Sequence, residues 1–149
     1  MDKQGEWLLA YVEKCMRRGM SRVVDGFEHV PTGVCFDAGS ARCQVRVEAA
    51  EPAMVRVMAL AVSDVRPSAA LLREINELNA NSRVTSAWWH DGDVIVECSL
   101  FAQSVDVETL REACLSVIRV ANDIGVGMAA MYDGCTPLSP FVDDAEDAA

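Results

Sequence analysis

No run of this sequence approaches the ~20 consecutive apolar residues that a bilayer-spanning helix requires, so a membrane protein is not expected. Basic residues are scarce: 13 Lys and Arg stand against 23 Asp and Glu, a formal charge of −10. A field of that sign repels phosphate backbones and anionic lipid surfaces, which argues against nucleic-acid and membrane-surface partners. The six cysteines (Cys15, Cys35, Cys43, Cys98, Cys114 and Cys135) include no pair in C-x-x-C spacing. Neither a zinc knuckle nor a thioredoxin-type motif can be read from them. An export signal is also missing. Asp2 and Glu6 stand where a signal peptide is basic, and the apolar run Trp7–Val12 stops at Glu13 and Lys14. A cytoplasmic protein with reduced thiols is the expectation. Catalytic signatures are absent in the same way: no G-x-S-x-G, no S-x-x-K with its partners, no phosphate loop.

What is present describes a folded domain. A chain of 149 residues with 51% apolar and 24% charged residues has ordinary globular values. One domain over residues 1–141 is expected, followed by an acidic, disordered tail at 142–149 with four acids between Asp143 and Ala149. From Glu6 to Arg18 the pattern is helical. Trp7, Tyr11 and Cys15 form an apolar stripe beside Leu8, Val12 and Met16, Gly19 ends the helix, and Lys14, Arg17, Arg18 and Arg22 form a solvated end. Phe27–Asp37, broken by Pro31 and Gly33, reads as one short or bent edge strand. Arg42–Glu48 alternates, with Cys43, Val45 and Val47 on one side. Glu51-Pro52 marks a turn. Met54–Val62 is apolar on both faces except at Arg56, as a central strand is.

Pro67 and Ser68 open a second helix through Asn79, with Leu71, Ile75 and Leu78 inward, Leu72 beside them, and Asn79 or Asn81 as left-handed ends. Val84–His90 and Asp93–Phe101 form a hairpin around Asp91-Gly92. Asp106 caps a final helix whose core stripe is Leu110, Cys114, Val117, Ala121 and Ile124. The order α-β-β-β-α-β-β-α predicts an α+β fold: an antiparallel sheet of about five strands with helices packed on one face.

Three features carry chemistry worth weighing. Gly125-Val126-Gly127-Met128-Ala129-Ala130 has the dinucleotide-fingerprint spacing, but it lies inside a helix, so close helix packing is the better reading and no cofactor is expected. His90 beside Asp91 and Asp93 sits at a tight turn that Asp-Gly chemistry already explains, so no metal is expected there. The pair Trp88-Trp89 is more informative, because neighbours on a strand point to opposite faces. Closing the turn pairs His90 with Asp93, Trp89 with Val94, Trp88 with Ile95, Ala87 with Val96 and Ser86 with Glu97. Trp89, Val94, Ala87 and Val96 then face the helices, while Trp88 and Ile95 take the nominally wet side. Met54, Arg56, Met58 and Leu60 extend that patch if they share the side, and these residue types are enriched at protein interfaces. The N-terminal helix or the tail could instead cover it.

The phrases ALLREINELN (Ala70–Asn79), VTSAWWHDGDVIVECSL and VDVETLREACLSVIRVANDIG, in that order, resemble the YbjN-type domain of the type III secretion chaperone-like family. The resemblance spans residues 27–132 in element order, and 71–124 in detail. The doubled tryptophan, the Gly-Val-Gly and the acidic tail depart from it. It implies a small acidic cytosolic protein, commonly dimeric, that binds peptide segments of clients or acts as a regulator, and it carries over no catalytic residue. The resulting expectation is a non-enzymatic, homodimeric module that binds a protein or peptide client on Trp88, Ile95, Met54, Arg56, Met58 and Leu60. The alternatives are a homodimeric structural or regulatory protein using the same face for self-association, and an enzyme built on His90 with Asp91 or Asp93, or on a cysteine.

Overall fold

A computed structural model describes residues 1–139. The elements are α1 (Lys3–Met20), β1 (Glu28–Val30), β2 (Gly33–Ala38), β3 (Ala41–Glu48), β4 (Met54–Val62), α2 (Ala69–Asn81), β5 (Ser86–His90), β6 (Asp93–Phe101) and α3 (Val107–Met131). The strands form one antiparallel sheet in the order β1-β2-β3-β4-β6-β5. Among the described residues there are six strands rather than about five. Pro31 and Thr32 do not bend one strand but turn between two, with Val30 opposite Gly33. Only glycine fits at 33, because a Cβ there would stand 1.9 Å from the Val45 carbonyl oxygen. β4 is central, as its two apolar faces require, and the β5–β6 hairpin has the expected register from His90↔Asp93 to Ser86↔Glu97.

One face of the sheet is sealed by the helices. Val34, Val45, Val57, Ala59, Val94, Val96 and their neighbours join the inner faces of α1, α2 and α3 in a single buried cluster. In α1 the sealed row is Gly5, Leu8, Val12, Met16 and Met20, with Cys15 alongside. Trp7 was expected inside and is 71% exposed, stacked on half-buried Tyr11 at 6.0 Å. The Leu8 row wins because it continues to both helix ends, whereas the Trp7 row does not. Helical pairing also carries α1 past Gly19 to Met20.

In α2, Ser68 accepts from the Leu71 amide, and Leu71 and Ile75 are buried, but Leu72 is 51% exposed. Neither Asn79 nor Asn81 is left-handed; among the described residues the non-glycine positions with positive φ are Asp64, Asp91 and Asp133. Asp106 caps α3 by accepting from Thr109 at 2.7 Å. Leu110, Cys114, Val117 and Ala121 are buried, and Gly125 rather than Ile124 continues the row to Met128. α3 is long and apolar enough by length and composition to cross a membrane, contrary to the expectation from the sequence; here that composition serves a stripe packed on β4 and β6. Beyond α3, Cys135 pairs with Ser63 across the end of β4. The acidic segment 142–149 lies outside the described residues.

Candidate functional site: the outer face of the sheet

Strand parity and register assemble the opposite face in rows. Arg42, Leu60, Ile95 and Trp88 stand side by side across β3, β4, β6 and β5. The next row is Gln44, Met58, Glu97 and Ser86. Arg46, Arg56 and Ser99 follow, and then Glu48, Met54 and Phe101. All six residues expected at a binding face, Trp88, Ile95, Met54, Arg56, Met58 and Leu60, therefore share one side and are half-buried. α1 does not cover them, since its buried row packs into the cluster on the other face.

The middle of this face is a charge network between two apolar zones. Arg56 donates through Nη1 to Glu48 Oε1 at 3.1 Å and through Nη2 to Glu97 Oε2, while Arg46 Nη2 donates to Glu48 Oε1 at 3.3 Å. The hydrogen bond to Glu97 above all holds the Arg56 guanidinium charged, against the opposing effect of burial. Burial pushes the Glu48 carboxyl up, but hydrogen bonds from Arg56 and Arg46 outweigh it and hold the group below its ordinary value. Arg56 is thus the hub of an internal network.

Two buried donors on this face lack an acceptor among the described residues: Trp88 Nε1 and Arg46 Nε. Buried N–H groups without partners are uncommon because each forfeits its hydration. The neighbouring indole, Trp89, points to the helix side and donates to the Val65 carbonyl at 2.9 Å. Phe101, 54% exposed beside Met54, extends the face and was missed, although the alternation from Ile95 through Glu97 and Ser99 reaches it.

The other candidates resolve locally. His90 and Asp91 meet at 3.3 Å with side chains 70% and 88% exposed at the open hairpin turn. Gly125 serves close packing, a Cβ there lying 3.1 Å from the Ala61 carbonyl oxygen, whereas a Cβ at Gly127 would meet open space. Desolvation by burial raises the thiols of Cys35, Cys43, Cys98, Cys114 and Cys135, Cys43 to about 12, so these groups are protonated and poor nucleophiles.

The family model TY-Chap1, described as T3SS (YopN, CesT) and YbjN peptide-binding chaperone 1, matches residues 6–140. The chain belongs to this family. No curated protein sequence matches it significantly. Among solved structures, the TY-Chap1 fold seen here is similar to that in the HopA1-SchA chaperone-effector complex, with TM-score 0.59, 11% identity, and coverage of 83% of this chain and 98% of the other. The ExsC-ExsE complex gives TM-score 0.55 at 14% identity, covering 84% and 97%. YbjN from E. coli gives TM-score 0.50 at 18% identity, covering 84% and 96%. At these identities the likeness is one of fold.

Proposed function

We propose that this TY-Chap1 member is a chaperone-like module that holds a protein or peptide segment against the outer sheet face. The observation that carries the reading is the set of half-buried and exposed apolar side chains, Leu60, Ile95, Trp88, Met58, Met54 and Phe101, that register brings together on the face the helices leave uncovered. An incoming segment would lay apolar side chains on Leu60, Ile95, Trp88 and Met58. Apolar burial contributes about 25 cal/mol per Å², and methionine adapts its shape to varied side chains. Arg56 contributes by keeping Glu48 and Glu97 neutralised, so that the centre of the face can be desolvated. The family description and the chaperone-effector complex among the similar folds support a protein or peptide partner. The six free thiols suit a reducing cytoplasm.

The test begins with segments retained from a proteolysed cytosol on immobilised wild-type protein. These are resynthesised and titrated against wild type, Trp88→Glu and Met58→Glu. Each substitution is expected to weaken binding about tenfold or more. Equal affinities would move the site elsewhere, and retention no better than that of scrambled peptides would end the binding reading.

A further inference from the structure

Two aromatic rings stand among the exposed large apolar side chains of the described residues, Trp7 at 71% and Phe101 at 54%. They come from different elements and line one shallow cavity of about 430 Å³ at the end of the sheet. α1 supplies Gln4 and Trp7, the β3–β4 turn supplies Glu51 and Pro52, and the end of β6 with the turn after it supplies Phe101 and Gln103. The two sheet-borne walls are tied together, because the Ala102 amide donates to the Ala53 carbonyl at 2.9 Å. Trp7 stacks on Tyr11, whose hydroxyl donates to the Val105 carbonyl at 3.1 Å. The cavity is therefore placed by the fold itself, and a site set in advance loses little freedom on binding.

The lining carries one ionisable group, and it is acidic. Glu51 is exposed and makes no ion pair among the described residues, and Lys3, one turn before Trp7 on α1, is not part of the lining. Gln4 and Gln103 add two side-chain amide oxygens that accept hydrogen bonds. An anionic ligand would be repelled by Glu51 and by the net charge of −10. An uncharged apolar side chain would suit the rings but strip water from Glu51 and the two glutamines without replacing it. A cation is drawn to the negative faces of the rings and to the carboxylate alike. Arginine meets both demands at once: its guanidinium plane stacks on an aromatic face while its fork of N–H donors reaches the oxygens. Lysine offers the charge without the plane.

We infer that this cavity is a binding site for a cationic side chain, arginine above lysine, carried by a partner segment. Phe101 stands opposite Met54 in the last row of the outer face, so the cavity continues that face around the end of the sheet. A segment with apolar side chains followed by an arginine covers both. The pairing of the two sites rests on the proposed client face, whereas the chemistry of the cavity does not.

Two-dimensional proton–nitrogen NMR of the full chain tests the site with three capped amino acids: acetyl-arginine amide, its neutral isostere acetyl-citrulline amide, and acetyl-leucine amide. The indole resonance of Trp7 is identified by its loss in Trp7→Leu. In wild type it is expected to move saturably with the arginine probe while the indoles of Trp88 and Trp89 stay in place. Citrulline and leucine probes are expected to bind at least about threefold more weakly, and Glu51→Gln and Phe101→Leu each to raise the arginine dissociation constant about threefold. Both side chains are exposed, and circular dichroism verifies that the variants fold. A Trp7 indole that does not move, equal binding of the citrulline or leucine probe, or an affinity unchanged by either substitution would overturn the assignment. No client takes part in this titration, so the cavity can fail while Trp88→Glu still weakens client binding, and the reverse.

Discussion

Arg56 is held from two sides, by Glu48 on β3 and Glu97 on β6, and this fixes how the outer face responds to acid. The Glu48 carboxyl sits below its ordinary value of 4.5 in the folded chain, so unfolding takes up protons in that region. Its contribution to stability is therefore complete at neutral pH and is lost as pH falls below 4.5 toward the folded-state value. Glu48→Gln is expected to flatten the decline of the urea midpoint between about pH 5 and pH 3. An acid slope identical to that of wild type would refute the coupling. Which residues of one strand share a face was legible, because a period of two is a property of each strand alone: Trp88 could be grouped with Ile95 across the hairpin, and Met54 with Met58 and Leu60, whereas the common side of the two groups follows from the β4–β6 register. The engagement of Arg56 was not legible. Its partners lie on different strands, and the β4–β6 register spans the whole of α2 and β5.

At the scale of elements, β5 is a sheet edge, and unpaired edges invite association. Asn79 on α2 closes part of this one: its Nδ2 donates to the Ala87 carbonyl at 2.9 Å, and its Oδ1 accepts from the Ala87 amide at 2.8 Å. The carboxamide fills the place a further strand residue would take. Asn79→Ala is expected to cost about 1–3 kcal/mol in urea unfolding and to increase light scattering on incubation. Unchanged stability and scattering would show the edge to be protected otherwise. From sequence, Asn79 suits a left-handed helix end and a backbone mimic equally well, and only the nearby strand decides between them. β1 was hidden for a related reason. A three-residue strand beside Pro31 has little pattern of its own and exists because β2 offers it a register.

For the whole molecule, one buried cluster links α1, the sheet, α2 and α3. A single core predicts a single unfolding transition, with tryptophan fluorescence and far-ultraviolet circular dichroism giving the same midpoint. Two separated midpoints would divide the chain into independent units. The layering itself was legible because alternating strands and striped helices leave few ways to bury both. The central position of β4 has a further consequence, which concerns synthesis. Its second neighbour, β6, is made only after α2 and β5 have emerged. At about 5–20 residues per second, the roughly forty residues between the ends of β4 and β6 take about 2–8 s to translate. Throughout that interval the newborn chain presents an open strand with Val55, Val57 and Ala59 on one side and Met54, Met58 and Leu60 on the other. A protein proposed to hold the segments of others begins life with its own most adhesive strand unsheltered, and a ribosome-bound chain halted after β4 has left the exit tunnel and before β6 has is the form in which that would be seen.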